Sequence, residues 1–307
     1  MIYRRASKHA AFLLLSLLLA LPAFPLSAQE ATVESGLQPE VGHLLPPPPA
    51  VPQTLRVASF NVHYGDDVPA LLASLRSNQA LSRADVLLLQ EIEGHKSEGS
   101  SRTRRLAEAL QMNYVYAPAR RTQDGGTHGL AVLSRFPLAD VEVLPLPRYD
   151  LGRRTRRRIA LGVTVDVGGQ PLRIYNLHLD TRINVQDRLA QLRPVVEAAR
   201  RQPVEEVIIG GDFNTNPFRW LFHRFPIFRS DQAGGLDAFM QESGFSTPLA
   251  ESGSTVNKAL VWARIDGLYA RGLTAQESGV EREVESSDHF PVWMDVAWPP
   301  TATAKKE

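Results

Sequence analysis

Short apolar runs recur along the chain at strand length: Leu55–Val62, Val86–Gln90, Gly129–Ser134, Leu161–Val167, Leu172–Leu179, Val207–Gly210, Ile265–Ala270 and Pro291–Val296. Val86-Leu87-Leu88-Leu89 and Val207-Ile208-Ile209 are continuous rather than alternating, the pattern of strands covered on both faces. A helical period marks residues 185–201. Val185, Leu189, Leu192, Val196 and Ala199 share one face there, Asn184 stands at the N-cap position, and Pro194 is expected to kink the helix. Weaker helical patterns cover Val68–Leu75 and Ser101–Leu110. Strands mixed with helices predict a layered α/β (α+β) domain, sheet within and helices outside.

The two ends of the chain read differently from its middle. Residues 1–28 carry Arg4, Arg5 and Lys8, then an apolar run from Ala10 to Leu21, then Leu26-Ser27-Ala28, the order of an export signal cleaved after Ala28. The run is short of the roughly 20 apolar residues that span a bilayer. An exported protein, periplasmic or extracellular, is therefore expected, with an uncleaved N-terminal anchor as the alternative. Residues 29–53 hold six prolines and read as an extended linker; 54–298 form the folded domain and 299–307 a tail.

Composition narrows the chemistry. The 307 residues include no cysteine, which excludes a disulfide scaffold, a thiolate metal site and a cysteine nucleophile. Charge is balanced at 34 basic against 33 acidic residues, so the total argues neither for nor against a polyanionic partner. No G-x-S-x-G elbow, nucleotide-cradling P-loop or H-E-x-x-H pair is present, and no nucleotide cofactor is expected.

The polar residues at the strand ends are the informative part. Asn61 ends one run and Gln90-Glu91 the next. Others end in Asn176-Leu177-His178-Leu179-Asp180 and in Gly210-Gly211-Asp212-Phe213-Asn214, and near the C-terminus come Ile265-Asp266 and Ser287-Asp288-His289. Side chains so placed can converge on one rim while the strands hold them rigid. Carboxylates and amides without thiols suit a hard ion such as Mg²⁺ or Mn²⁺. Metal, carboxylate and imidazole together suit phosphoester hydrolysis.

This ordered set, with Ser59-Phe60-Asn61 at its start and Gly129-Leu130-Ala131-Val132-Leu133-Ser134-Arg135 between, resembles the endonuclease/exonuclease/phosphatase superfamily. That group contains deoxyribonuclease I, exonuclease III-type AP endonucleases, neutral sphingomyelinases and inositol-polyphosphate 5-phosphatases. The resemblance implies a four-layer α/β sandwich with two face-to-face β-sheets flanked by helices. It implies Glu91 as the main metal ligand, with Asn61 and Asp288 completing or flanking the site. Asp212 would orient or deprotonate the attacking water, and Asn214 would hydrogen-bond the scissile phosphate. His289, held by Asp266, would stabilise the transition-state charge. His178 would make a second phosphate contact or assist the leaving group, and Arg158 would contact a phosphate oxygen.

Taken singly, these residues have plainer uses: Asp212 and Asn214 can shape a turn, and His178 can be a satisfied core imidazole. A non-catalytic module of the same fold, binding nucleic acid or lipid, is the alternative of a different class. Two regions bear on the substrate. Arg148–Arg158 holds six arginines and one acid, a phosphate-backbone track or a solvated loop. Residues 216–229 interleave aromatics with arginine, which suits base stacking or a lipid interface, with core packing the stronger expectation. Nucleic acid thus ranks ahead of a sphingomyelin-type phospholipid, and both ahead of a phosphomonoester.

Overall fold

The continuous apolar runs send alternate side chains into different cores. Leu55 and Val57 enter one cluster while Ala58 and Phe60 enter another; Val86 and Leu88 likewise part from Leu87 and Leu89, and Ile208 from Val207 and Ile209. Such strands must be covered on both faces, and they are. The computed structural model describes residues 37–43, 45–46, 52–257 and 262–299. Residues 1–28, read above as an export signal, and nearly all of the tail lie outside them.

The first sheet has β1 (Glu40–Gly42), β2 (Leu55–Asn61), β3 (Val86–Gly94), β4 (Asn113–Arg121), β5 (Thr127–Ser134), β13 (Thr274–Val280) and β14 (Val292–Ala297), in the order β1-β4-β5-β3-β2-β14-β13. The second has β6 (Leu138–Pro145), β7 (Ile159–Val167), β8 (Gln170–His178), β9 (Val207–Asp212) and β12 (Asp266–Arg271), in the order β12-β9-β8-β7-β6. One cluster fills the space between the sheets. A second lies under α1 (Val68–Ser77) and α2 (Arg102–Leu110), and a third under α3 (Val185–Arg201) and α4 (Gln232–Glu242). The result is the expected four-layer sandwich.

Each sheet contains one parallel pair, β2 with β3 across α1 and β8 with β9 across α3. Such crossovers bring two strand C-termini side by side at the same edge. The sheets are also joined by polar groups inside the sandwich. Gln90 donates to Asn176 at 2.8 Å, and Asn176 donates to the Leu89 and Ala131 carbonyls at 2.9 Å each.

Several sequence expectations change. Within the segment read as a linker, Glu40–Gly42 pair with β4, and Tyr114 donates to Glu40. Asn184 is at the N-cap position, but its side chain makes no cap; it holds the backbone of Trp220 from both sides instead. Helix α3 runs through Pro194 as one element, giving up the hydrogen bond that a residue there would donate to Ala190. Its buried face carries Arg188 and Gln191 where only apolar residues were expected, and Val185 and Leu189 are half-buried. Residues 218–229 are not core. They form an exposed hairpin of β10 (Phe218–Leu221) and β11 (Phe225–Arg229).

Candidate active site

Register places three of the expected residues in one row. His178 ends β8 opposite Asp212 at the end of β9, and Asp212 lies opposite Asp266 at the start of β12. Gly211 makes this row possible. It has φ +136°, and a Cβ there would collide with the Leu177 carbonyl of the neighbouring strand. Asp212 then does two things at once. Its Oδ1 accepts from the Asn214 amide at 2.9 Å, closing the turn, while Oδ2 accepts from Asn61 Nδ2 at 3.1 Å. Asn214 takes up φ +53° in that turn and donates through Nδ2 to the Leu179 carbonyl.

The other sheet supplies the opposing residues. Asn61 ends β2 beside Gln90, and β3 bulges between Gln90 and Ile92 with Glu91 at φ +61°. An extra residue of this kind re-aims a side chain that strict alternation would send elsewhere. Ser287 donates to the Asn61 carbonyl at 2.7 Å and accepts from the His289 amide, which fixes the Asp288-His289 loop against β2. The serine of that triplet is thus a bolt for the loop.

Across the gap the groups meet. His178 Nε2 lies 3.3 Å from Asp212 Oδ2 and 3.9 Å from Glu91 Oε1. His289 Nε2 lies 3.9 Å from Asp212 Oδ2 and 4.0 Å from Asp288 Oδ1, while its Nδ1 meets both Asp266 oxygens at 3.0 and 3.1 Å. Among the described residues, ligand atoms of Asp212, Asp266 and His289 lie within 4.8 Å of one another, a group able to hold a metal ion. Arg158 stands slightly apart, donating to buried Asp180 at 2.9 Å. With Arg120, His128 and His178 it lines a recess beside the row.

The electrostatics separate the two histidines. Burial holds His178 well below its ordinary value, and the nearby cations Arg158 and His128 push the same way, so it is neutral. Burial also opposes charge on His289, but Asp266, Asp212 and Asp288 overcome it and raise the imidazole to about 10. Burial raises the Asp212 carboxyl to about 7; His289 pulls it down while Asp266 and Glu91 repel it. One neutral and one cationic imidazole thus flank a carboxylate poised near neutrality.

Sequence reasoning missed the residues that hold this set in place. Thr255 is fully buried; its hydroxyl donates to Asp266 Oδ2 at 2.7 Å and accepts from the Ile265 and Asp266 amides. Arg188, also fully buried, donates to the carbonyls of Asp180, Ile183 and Phe213 and to Gln232. Gln191 binds the Asp180 carboxylate and amide. None lies in a short motif. An arginine and a glutamine on an otherwise apolar helical face were the available signal for two of them. Much of the arginine track is occupied too: Arg157 donates to the Ala119 carbonyl, and Arg156 to those of Arg153 and Thr155.

A two-sheet sandwich with carboxylates, amides and imidazoles gathered at its rim suits phosphoester hydrolysis. The model of the Endonuclease/Exonuclease/phosphatase family matches residues 58–289, and the chain belongs to that family. Among solved structures, an endonuclease/exonuclease/phosphatase from Beutenbergia cavernae aligns with a TM-score of 0.62 at 21% identity, over 80% of this chain and 72% of that one. The human Nocturnin catalytic domain with bound sulfate aligns at 0.59 and 18%, over 80% and 95%. D. rerio TDP2 complexed with a single-strand DNA product aligns at 0.56 and 19%, over 80% and 99%. At these identities the likeness is one of fold. No curated protein matches the chain by sequence.

Proposed function

We propose that this chain is an exported, divalent-metal-dependent phosphodiesterase that attacks phosphorus with a water activated at Asp212. The observation that carries this reading is the position of Asp212 Oδ2, within 3.1 to 3.9 Å of Asn61, His178 and His289 while Oδ1 is spent on the turn. A carboxylate needed only for the turn would not have its second oxygen in that company.

The donor set fits a hard ion. Glu91, Asp212, Asp266 and Asp288 crowd one rim, and the repulsion of Asp212 by Asp266 and Glu91 adds to burial in keeping its carboxyl near 7. Glu91, with Asn61 and Asp288, would hold Mg²⁺ or Mn²⁺, whose charge when bound neutralises phosphate oxygens. Asp212 takes the proton of the attacking water. Asn214 donates an amide N–H to the scissile phosphate. His289, kept cationic and oriented by Asp266, presents Nε2 to the charge that develops there, and Arg158 adds a further cation. Neutral His178 makes a second phosphate contact or serves the leaving group.

Nucleic acid is the first substrate class on the arginine track and a phospholipid head group the second, the latter favoured by the exposed aromatics of the hairpin. The test is nicking of supercoiled plasmid in Mg²⁺ by wild type and by Asp212→Ala. Nicking by wild type alone, abolished by EDTA, is the expected result. Wild-type hydrolysis of a soluble phosphodiester such as bis(p-nitrophenyl) phosphate without nicking moves the substrate to lipid. No hydrolysis of either, with retained binding of DNA or lipid, would make the chain a binding module.

A further inference from the structure

The hairpin Phe218–Arg229 presents its apolar side chains to solvent: Phe222 is 77% exposed, Phe228 67% and Phe225 56%. Water is a poor environment for such a patch, and contiguous exposed apolar surface of this kind marks an interaction site. The distribution along the hairpin is graded. Its two rungs nearest the domain each pair a phenylalanine with an arginine, Phe218 with Arg229 and Arg219 with Phe228. The two rungs toward the tip are apolar throughout, Trp220 with Pro226 and Leu221 with Phe225.

The turn itself is held against its preference. Three residues join the strands; Phe222 and His223 have φ of +52° and +54°, and Arg224 donates to the Leu221 carbonyl, closing a β-turn whose two central left-handed positions ordinarily take Asn and Gly. The left-handed conformation costs such residues about 1 to 2 kcal/mol each. The underside of the hairpin is bound to the domain, the turn included. His223, buried within the turn, bonds the Arg182 carbonyl through Nδ1, Trp220 donates to Asn216, and Gln232 donates to the Phe218 carbonyl. The frame beneath therefore fixes a strained turn whose effect is to project Phe222 outward.

Charge identifies the partner. No acid occurs from Asn214 to Ser230, and Arg219, Arg224 and Arg229 are exposed. The arginine-rich segment 148–158 abuts the same face, since the Tyr149 ring lies 6.0 Å from that of His223 and Arg154 acts electrostatically on Arg182. Exposed aromatics with arginine beside them in the turn (Arg224 over the Phe225 ring) and behind them on the strands (Arg219, Arg229) match the boundary of an anionic bilayer, where acyl chains meet phosphates. A strand-tracking nucleic-acid surface would instead need its cations along the whole path of the chain, and leucine and isoleucine at the patch add nothing to base stacking.

We infer that the β10–β11 hairpin is a docking element for anionic phospholipid membranes, inserting its tip with Phe222 foremost and setting its arginines at the phosphate level. The docking does not depend on the chemistry assigned to the rim.

The test is co-sedimentation of the full chain with vesicles of equal parts phosphatidylglycerol and phosphatidylcholine, against vesicles of phosphatidylcholine alone. Phe222→Ser/Phe225→Ser/Phe228→Ser is expected to lower partitioning at least tenfold. Arg219→Gln/Arg224→Gln/Arg229→Gln is expected to remove the preference for the anionic vesicles. Hydrolysis of bis(p-nitrophenyl) phosphate reports the rim separately and should be unchanged by the phenylalanine substitutions. A second probe, Phe222→Trp, should gain quenching by brominated lipids beyond that of wild type. The inference is overturned if wild type ignores anionic vesicles, if the serine variant binds them equally, or if brominated lipid quenches the Phe222→Trp variant no more than wild type. Loss of single-stranded DNA retention with unchanged vesicle binding would overturn it in favour of a nucleic-acid platform.

Discussion

The rim and the hairpin invert the ordinary distribution of side chains in opposite senses, and one continuous segment, Gly210 to Arg229, builds parts of both. At the rim polar groups are buried: Asp212, Asp266, His178 and His289 are all under 10% exposed, each with a polar partner. At the hairpin apolar groups are exposed, and what holds them is the hydrogen-bonded base. Only a few residues of chain separate Asn214 from Phe218. The difference shows where each departure is supported: the rim by bonds among its own members and to buried Thr255, the hairpin by bonds along its underside that leave the phenylalanine side chains free. Changes at the rim should therefore spread, and changes at the hairpin tip should remain local.

The most severe test is Asp212→Asn. It keeps the turn through its oxygen, sets an N–H against the Asn61 donor and removes the base, and a loss on the order of 10³-fold in kcat is expected with a native circular-dichroism spectrum. A loss below about tenfold would remove Asp212 from proton transfer. Next come Asp266→Ala and His289→Ala, each expected to cost about 10² in kcat, with the double variant little worse because the pair acts as a unit. Multiplying losses would show two independent groups.

Arg188→Met carries the test into stability. The change leaves the Asp180, Ile183 and Phe213 carbonyls without their donor, so a loss of about 3 kcal/mol is expected by urea unfolding. A loss under about 1 kcal/mol would show that the loops hold themselves.

Proton linkage gives a smaller, signed effect. Asp212 is raised to about 7 from 3.8 and His289 to about 10 from 6.5. Both are raised, so the native state binds more protons than the unfolded chain across this range, and stability falls as pH rises. The contribution of His289 is full below 6.5 and lost through about 10; the penalty at Asp212 grows from 3.8 to about 7. Protein in EDTA should therefore melt lower at about pH 9 than at about pH 5.5. Mg²⁺ supplies the missing positive charge, so its increase in Tm should be larger at the higher pH. An equal increase at both values would put the ion away from these groups.

The smallest effect sharpens the contrast from the other side. Phe222→Gly relieves a left-handed residue with little packing to lose, and a gain of up to about 1 kcal/mol is expected in the same urea measurement. Destabilisation would mean that the Phe222 side chain contributes packing despite its exposure.

Much of the layered fold was legible because the central strands are apolar on both faces, so β2, β3, β8 and β9 stand out as runs. The strands that escaped notice are mainly those without that burial. β1, β6 and β13 are sheet edges, and β6 carries exposed Ala139, Asp140 and Val141. β4 is buried, but its Pro118 and terminal arginines break the run. The hairpin escaped because its turn is Phe-His, with no glycine or asparagine to mark it. Core packing was the stronger expectation for residues 216–229, since aromatic composition reports hydrophobicity and says nothing about which side of the domain receives it.

The candidate site was legible to the extent that short motifs sit at strand ends. His178, Asp212, Asp266, Asn61, Glu91, Asp288 and His289 could all be named from those motifs, and the fold brings them together. Thr255 and Arg188 were not legible, because their value lies in partners that no short motif or helical period links to them. A threonine in a loop and an arginine on a helix look alike in any protein until the fold shows what each one touches.

The antiparallel register of β2 with β14 sets Leu55 opposite Val296, with Arg56 and Asp295 paired beside them. Asn61 lies at the far end of β2, roughly 20 Å away at the rise of a strand. The start of β2 and the end of β14 therefore meet at the pole opposite the rim, while β1 pairs at the far side of the same sheet. A linker joining them, with the β1 segment left out, would yield a circular permutant without crossing the rim, and new termini could open at a surface loop such as Gly168-Gly169. A label or solid support attached at residue 299 would likewise leave both the rim and the hairpin free to meet whatever they act upon.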